Sequence, residues 1–152
     1  MLLCVEKKPM LSEKRNVLFL CSGNYFRSRF AELWFNHEAE RRQRPWYATS
    51  AGLLMENENQ GNISEYTRTF AHARGWLVPD RAPISASDEL FEQADRVIAL
   101  KESEHRVPIE SRFTRFQGKV TYWMIHDEDV MKPSDILPTL ESRLIQFVVT
   151  LN

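Results

Sequence analysis

Cys21 and Arg27 stand six residues apart in "NVLFLCSGNYFRSRFAELWF", with Gly23 and Asn24 between them and Ser28 directly after. A turn between a strand and a helix aims several backbone N–H groups into one concavity, and the helix dipole adds partial positive charge there. Such a cradle binds a tetrahedral oxyanion and stabilises a thiolate. Arg27, in the first turn of the helix, could close the cradle with a planar fork that takes two phosphate oxygens at once. Gly23 and Asn24 are types that tolerate positive φ, which a loop folding its amides inward requires. Ser28 could donate its hydroxyl to the sulfur. The chemistry common to these residues is attack of a thiolate on phosphorus. Ser22, Gly23, Asn24, Tyr25, Phe26, Arg27 and Ser28 would then form the phosphate-binding loop. A free cysteine after a buried strand is often only a small core hydrophobe. The glycine, asparagine, serine and helix around this one favour the reactive reading.

Several elements must hold that loop in place. "NVLFL" is a continuous apolar run, the pattern of a strand covered on both faces. From Ser28 to about Gln43, Phe30, Leu33, Trp34 and His37 recur at helical spacing. "WYATSAG" reads as a second strand closed by Gly52, and "LLMENENQGN" as a polar loop. Ser64 caps a helix through Gly75 with Tyr66, Phe70 and Ala73 on one face, and "SASDELFEQA" is a further short helix. "RVIAL" and "KVTYWMI" complete the strands, and a last helix is expected from near Pro138, with an apolar stripe of Leu140, Leu144, Phe147, Val148 and Leu151. Strands alternating with helices imply an α/β fold, a parallel sheet with helices on both faces. Its reactive site should lie beyond the carboxyl ends of the strands, where Cys21 falls. Residues 1–15 read as a polar leader and 16–152 as a single domain.

The 152 residues carry a net charge of −1, which argues against a nucleic-acid partner. The two cysteines, Cys4 and Cys21, make neither a disulfide framework nor a zinc site, and a reducing cytoplasm fits them best. The four histidines have no paired metal-ligand spacing, so no metal or other cofactor is expected. No run approaches the ~18 apolar residues that span a membrane, so no membrane partner is expected.

"VLFLCSGNYFRSRFAE" resembles the phosphate loop of the low-molecular-weight protein tyrosine phosphatases, whose pattern is a strand, C-x-G-N-x-x-R-S and a helix. The similarity continues in "TSAGL" and "RAPISASDELFEQADRVIAL" and fades toward the C-terminus. The resemblance implies a four-stranded parallel sheet and hydrolysis through a cysteinyl-phosphate without a metal. It implies an acid on the loop after the fourth strand, here "YWMIHDEDVMKP", where Asp127 takes the matching position and Asp129 is the rival. It also implies that Ser50 braces the phosphate loop. The family's usual proline after the acid is replaced by Glu128, and the following aromatic pair by Asp129 and Val130. Tyr25 and Phe26 are then candidates for the walls of the substrate slot.

The expected activity is therefore hydrolysis of protein phosphotyrosine or another aryl phosphate by Cys21, Arg27 and Asp127, in a monomer or weak dimer. Two rivals differ in kind. An arsenate reductase would use a similar loop, but it would need an external thiol, because no further cysteine follows Cys21. A phosphoprotein-binding module would keep the cradle and lack turnover.

Overall fold

The sheet is built around β1 (Arg15–Cys21), whose residues from Asn16 onward are all buried. The computed structural model describes Met10 and residues 13–55 and 61–152. Most of the expected polar leader lies outside the described residues, as does Cys4, and its last residue, Arg15, opens β1. β1 pairs in parallel with β2 (Trp46–Gly52) on one side and with β3 (Arg96–Ala99) on the other. β3 pairs in parallel with β4 (Val120–Tyr122), giving a four-stranded sheet in the order β2-β1-β3-β4.

Strand periodicity sorts the core into two layers. Val17, Phe19 and Cys21 of β1 and Ile98 of β3 face α1 (Arg27–Arg41) and α5 (Pro133–Val148), where they meet Phe30, Trp34, Leu140 and Leu144. Leu18, Leu20, Val97 and Ala99 face the other way, against Phe91 of α3 (Asp88–Gln93) and Ile109 of α4 (Glu102–Arg112). There Phe91 stacks on Phe113 and Phe116, at ring separations of 4.7 and 5.2 Å. Cys21 thus lies on the α1 side of the strand. No helix among the described residues is long and apolar enough to cross a membrane.

The serine caps are where the sequence puts them. Ser64 accepts from the Tyr66 amide at the start of α2 (Glu65–Ala73), and Ser87 accepts from the Leu90 amide at the start of α3. Gly75 ends the α2 segment in the left-handed region, at φ +72°.

Other expectations need correction. α2 buries Thr67 and Ala71, whereas Tyr66 is 52% exposed, so its inner face is one residue out of step with the aromatic stripe. His37 is exposed and lies beside Trp76. α5 starts at Pro133, not near Pro138, because Ile136 and Leu137 already belong to its buried stripe and Pro133 takes the first-turn place that favours proline. The last strand is only Val120–Tyr122, and a 3-10 helix (Thr114–Lys119) precedes it. α4 has no counterpart in the sequence reading. Its segment is mostly polar, contains Pro108, and buries only His105 and Ile109. Ion pairs of Arg106 with Glu102 and Glu110, each four residues away, support its exposed face.

Candidate active site

Between Cys21 and Arg27, five residues turn the chain from sheet to helix. The carbonyls of Cys21, Ser22 and Tyr25 accept from the amides of Leu53, Leu54 and Ser64 at 2.9, 2.9 and 3.0 Å. A trans peptide points its N–H opposite to its C=O, so the amides of Ser22, Gly23 and Phe26 point the other way. Phe26, the residue before α1, contributes no side-chain cap, so the helix N-terminus lacks the internal acceptor that would compete with an anion.

Asn24 rivets the turn. It takes the left-handed conformation at φ +50°, while Gly23 is not among the residues with positive φ. Asn24 is fully buried, and its Nδ2 donates to Ser28 Oγ and Ser50 Oγ, both at 2.9 Å. Its Oδ1 accepts from the Ile84 amide at 2.8 Å and from Arg81 Nη1 at 3.1 Å. Arg81 in turn reaches Ser50 Oγ and the Glu32 carboxylate of α1. Ser28 Oγ already accepts from Asn24, so its one proton is available for Cys21 Sγ, 2.9 Å away. Ser50 therefore does contact the loop's anchoring residue. Gly52 permits the close packing beneath: a Cβ there would stand 2.8 Å from Ser22 O and 3.0 Å from Asn24 N, both backbone atoms that cannot step aside.

Arg27 is 1% exposed. Its Nη1 donates to Ile125 O at 2.9 Å and to Glu104 Oε2 at 3.4 Å; its Nη2 donates to Glu104 Oε1 at 3.0 Å and to Asp127 Oδ2 at 3.3 Å. Burial pulls the guanidinium pKa down, but Cys21, Glu104 and Asp127 outweigh it and hold the pKa above its ordinary value. The other oxygen of Asp127, Oδ1, accepts from the amide of Glu128 at 2.9 Å. Proline at that position could not donate, so the departure from the family pattern supplies a bond that orients the carboxylate. His126, which precedes Asp127, has a buried Nδ1 without a hydrogen-bond partner.

Cys21, Gly23, Tyr25, Phe26, Arg27, Asp127, Glu128 and Asp129 line one cavity of about 200 Å³. That volume lies below the ~300 Å³ at which small-molecule pockets usually begin, and it suits a phosphoryl group with the first atoms of its leaving group. The side chains of Ser22, Asn24 and Ser28 stand behind the cavity, where they brace the loop. Tyr25 keeps its proton: burial and the carboxylates of Glu65 and Glu128 raise its pKa. Burial and the neighbouring Asp127 push Glu128 up as well.

The sequence reading missed Glu104, His105 and Arg81. Glu104 and His105 follow β3, so the rule that sites gather beyond the carboxyl ends of parallel strands was the available signal. His105 is fully buried and faces Arg27, Glu104 and Lys101. Burial and Arg27 lower its pKa from 6.5 to about 4, so it is neutral at pH 7. The unfolded chain then takes up a proton near pH 6.5 that the folded chain refuses until about pH 4, and stability is lost as pH falls through that window. The expected loss is at most about 3.5 kcal/mol, since each pKa unit is worth ~1.4 kcal/mol. His105→Gln should flatten the acid-side fall of the melting temperature over the same range. An unchanged fall would mean that burial does not suppress protonation of His105.

Both the sequence and the fold have known relatives. The chain is 29% identical over 105 residues to the protein-arginine-phosphatase of Bacillus subtilis (strain 168), covering 69% of this chain and 67% of that protein. It superposes on the low molecular weight protein tyrosine phosphatase of T. tengcongensis with a TM-score of 0.75 at 24% identity, covering 90% of this chain and 99% of the other. A thioredoxin-dependent arsenate reductase of Corynebacterium glutamicum shares the fold with a TM-score of 0.68 at 22% identity, over 91% of this chain and 62% of that one. The profile described as low molecular weight phosphotyrosine protein phosphatase matches residues 16–143. The match runs from β1 into α5, and the chain belongs to the low molecular weight phosphotyrosine protein phosphatase family.

Proposed function

We propose that the protein hydrolyses phosphate monoesters on phosphorylated proteins through a cysteinyl-phosphate intermediate, within a single domain spanning residues 16–152. One observation carries the reading: a thiol from the end of β1, a guanidinium from the start of α1 and a carboxylate from the loop after β4 share one small cavity. In the first step the Cys21 thiolate attacks phosphorus and the bond to the leaving oxygen breaks. Asp127, in its acid form, gives that oxygen a proton. In the second step water attacks phosphorus, Asp127 takes the proton of the water, and the S–P bond breaks to release phosphate and the thiolate. Arg27 and the loop amides hold the equatorial oxygens throughout. A reducing compartment such as the cytoplasm keeps Cys21 as a thiol, and the active unit is a monomer or weak dimer. Arsenate reduction would need a second thiol, and Cys21 is the one free cysteine among the described residues.

The substrate is taken to be phosphotyrosine or another aryl phosphate, with Tyr25 and Phe26 against the ring. The three carboxylates lining the cavity favour a second reading. Asp127, Glu128 and Asp129 beside the phosphate site suit a leaving group that is itself cationic, as in a phosphorylated guanidine. The name of the Bacillus relative supports that reading. Relative kcat/KM for phosphotyrosyl and phosphoarginyl peptides of equal sequence decides between them.

Asp127→Asn tests the mechanism. It should slow a poor leaving group such as tyrosine phosphate by ~100- to 10,000-fold while sparing nitrophenyl phosphate, whose phenolate departs without a proton. Asp129→Asn should change little. If Asp129→Asn alone produced the leaving-group dependence, the acid would be Asp129. If neither variant did, turnover would not use this loop.

A further inference from the structure

A guanidinium at the end of a long side chain grips two oxygens only if something fixes the plane of its fork. In this chain the fork is bonded by Ile125 O at 2.9 Å and by a carboxylate of α4. Both Glu104 oxygens accept from Arg27, at 3.0 and 3.4 Å, on the third residue of a helix that begins just beyond β3. Glu104 is itself restrained on two sides: Lys101 Nζ lies 3.3 Å from its Oε2, and Ser22 Oγ donates to its Oε1 at 3.2 Å.

The Ser22 hydroxyl is turned toward that carboxylate by His105. The Lys101 amide donates to His105 Nδ1 at 3.0 Å, so the neutral ring carries its proton on Nε2 and donates it to Ser22 Oγ, 3.1 Å away. The donors therefore run in one direction, from the Lys101 amide through His105 and Ser22 to Glu104, where they meet the fork of Arg27. Ser22 directly follows Cys21, so the same chain of bonds ties the guanidinium to the peptide next to the sulfur.

We propose that Glu104 is a positioning residue that holds the Arg27 fork in the plane required by the transition state, with Ser22 and His105 fixing Glu104. The inference rests on the phosphatase reading and deepens it. It has an electrostatic consequence that a purely structural ion pair lacks. The Glu104 carboxylate opposes a bound phosphate dianion by its charge, and it favours the trigonal-bipyramidal transition state by aligning the fork. Removing the charge while keeping the shape should therefore separate the two states.

Glu104→Gln should lower kcat on nitrophenyl phosphate by about ten- to a hundredfold, the cost typical of a misplaced catalytic group. Vanadate, which adopts the five-coordinate geometry, should bind more weakly by a similar factor. Inorganic phosphate should bind as tightly as before or more tightly, and the melting temperature should hold. Both affinities are read by calorimetry, which needs no turnover. Ser22→Ala, which keeps the loop amide and removes only the hydroxyl, should give the same split on a smaller scale. An unchanged kcat and vanadate affinity in both variants would overturn the proposal. So would a parallel loss of vanadate and phosphate, the mark of a collapsed loop. Either result, beside a wild-type protein whose turnover depends on Cys21, would leave the phosphatase reading standing. Turnover independent of Cys21 would instead remove that parent reading.

Discussion

Cys21→Ser is expected to abolish turnover of aryl phosphates while leaving binding of inorganic phosphate measurable. Serine is nearly isosteric, and the position is 3% exposed, so the loop around it has no reason to rearrange. Asn24 stays riveted to Ser50, Ile84 and Arg81, and Arg27 stays held by Glu104 and Ile125 O, because none of those bonds involves the sulfur. What disappears is the nucleophile. A thiolate forms readily beside a helix N-terminus and a guanidinium, whereas a serine hydroxyl must lose a proton to an adjacent base. The neighbour of Cys21 is Ser28 Oγ at 2.9 Å, a hydroxyl and not a base. Loss of a catalytic nucleophile costs on the order of 10⁶-fold in a serine protease, the scale expected here. Steady-state kinetics and phosphate titration calorimetry on the same preparation check both halves. Normal turnover in the variant would remove Cys21 from the mechanism. Loss of phosphate binding with an intact melting transition would mean that the sulfur itself carries the anion site.

The loop was legible because its chemistry is local. Strand, cysteine, asparagine, arginine, serine and helix lie within one short stretch, and each type is demanded by the geometry of its own position. The left-handed turn falls on Asn24, a type that tolerates it. Asp127 was legible only through resemblance, since an acidic residue on a polar loop has no pattern of its own. What ties it to the site is a contact with Arg27 across a hundred residues of chain. Glu104 and His105 stayed hidden for a different reason. Their helix is mostly polar and contains Pro108, so neither hydrophobic periodicity nor propensity marked it. The start of α5 was misplaced because Pro133 and Pro138 are both credible first-turn prolines, and only the burial of Ile136 and Leu137 chooses between them. Patterns set by one element are readable in sequence; partners brought together by the sheet are not.

Arg27→Lys should cost far more than the conserved charge suggests. Arg27 uses four donor contacts at once: Ile125 O and Glu104 Oε2 from Nη1, Glu104 Oε1 and Asp127 Oδ2 from Nη2. When phosphate enters, the fork can exchange the Asp127 oxygen for a phosphate oxygen and remain anchored through Glu104 and Ile125. That exchange also frees the Asp127 carboxyl for the leaving group. A lysine ammonium is a point charge on a shorter reach, and its three N–H groups cannot hold both Glu104 oxygens, Ile125 O and a phosphate oxygen together. If it pairs with Glu104, the phosphate loses its clamp; if it turns to the phosphate, the half-buried Glu104 carboxylate loses its strongest partner and the Ile125 carbonyl loses its donor, the latter at ~1–3 kcal/mol. Removal of a preorganised transition-state donor costs ~100- to 1,000-fold, and an arginine on a transferring phosphoryl group can be worth ~1,000-fold or more. The loss should therefore appear mainly in kcat, with vanadate affinity falling in step and phosphate affinity falling less. Equal losses in kcat and phosphate affinity would make Arg27 a ground-state binder only. A near-wild-type rate would reduce Arg27 to the structural partner of Glu104, a role its 1% exposure would equally allow.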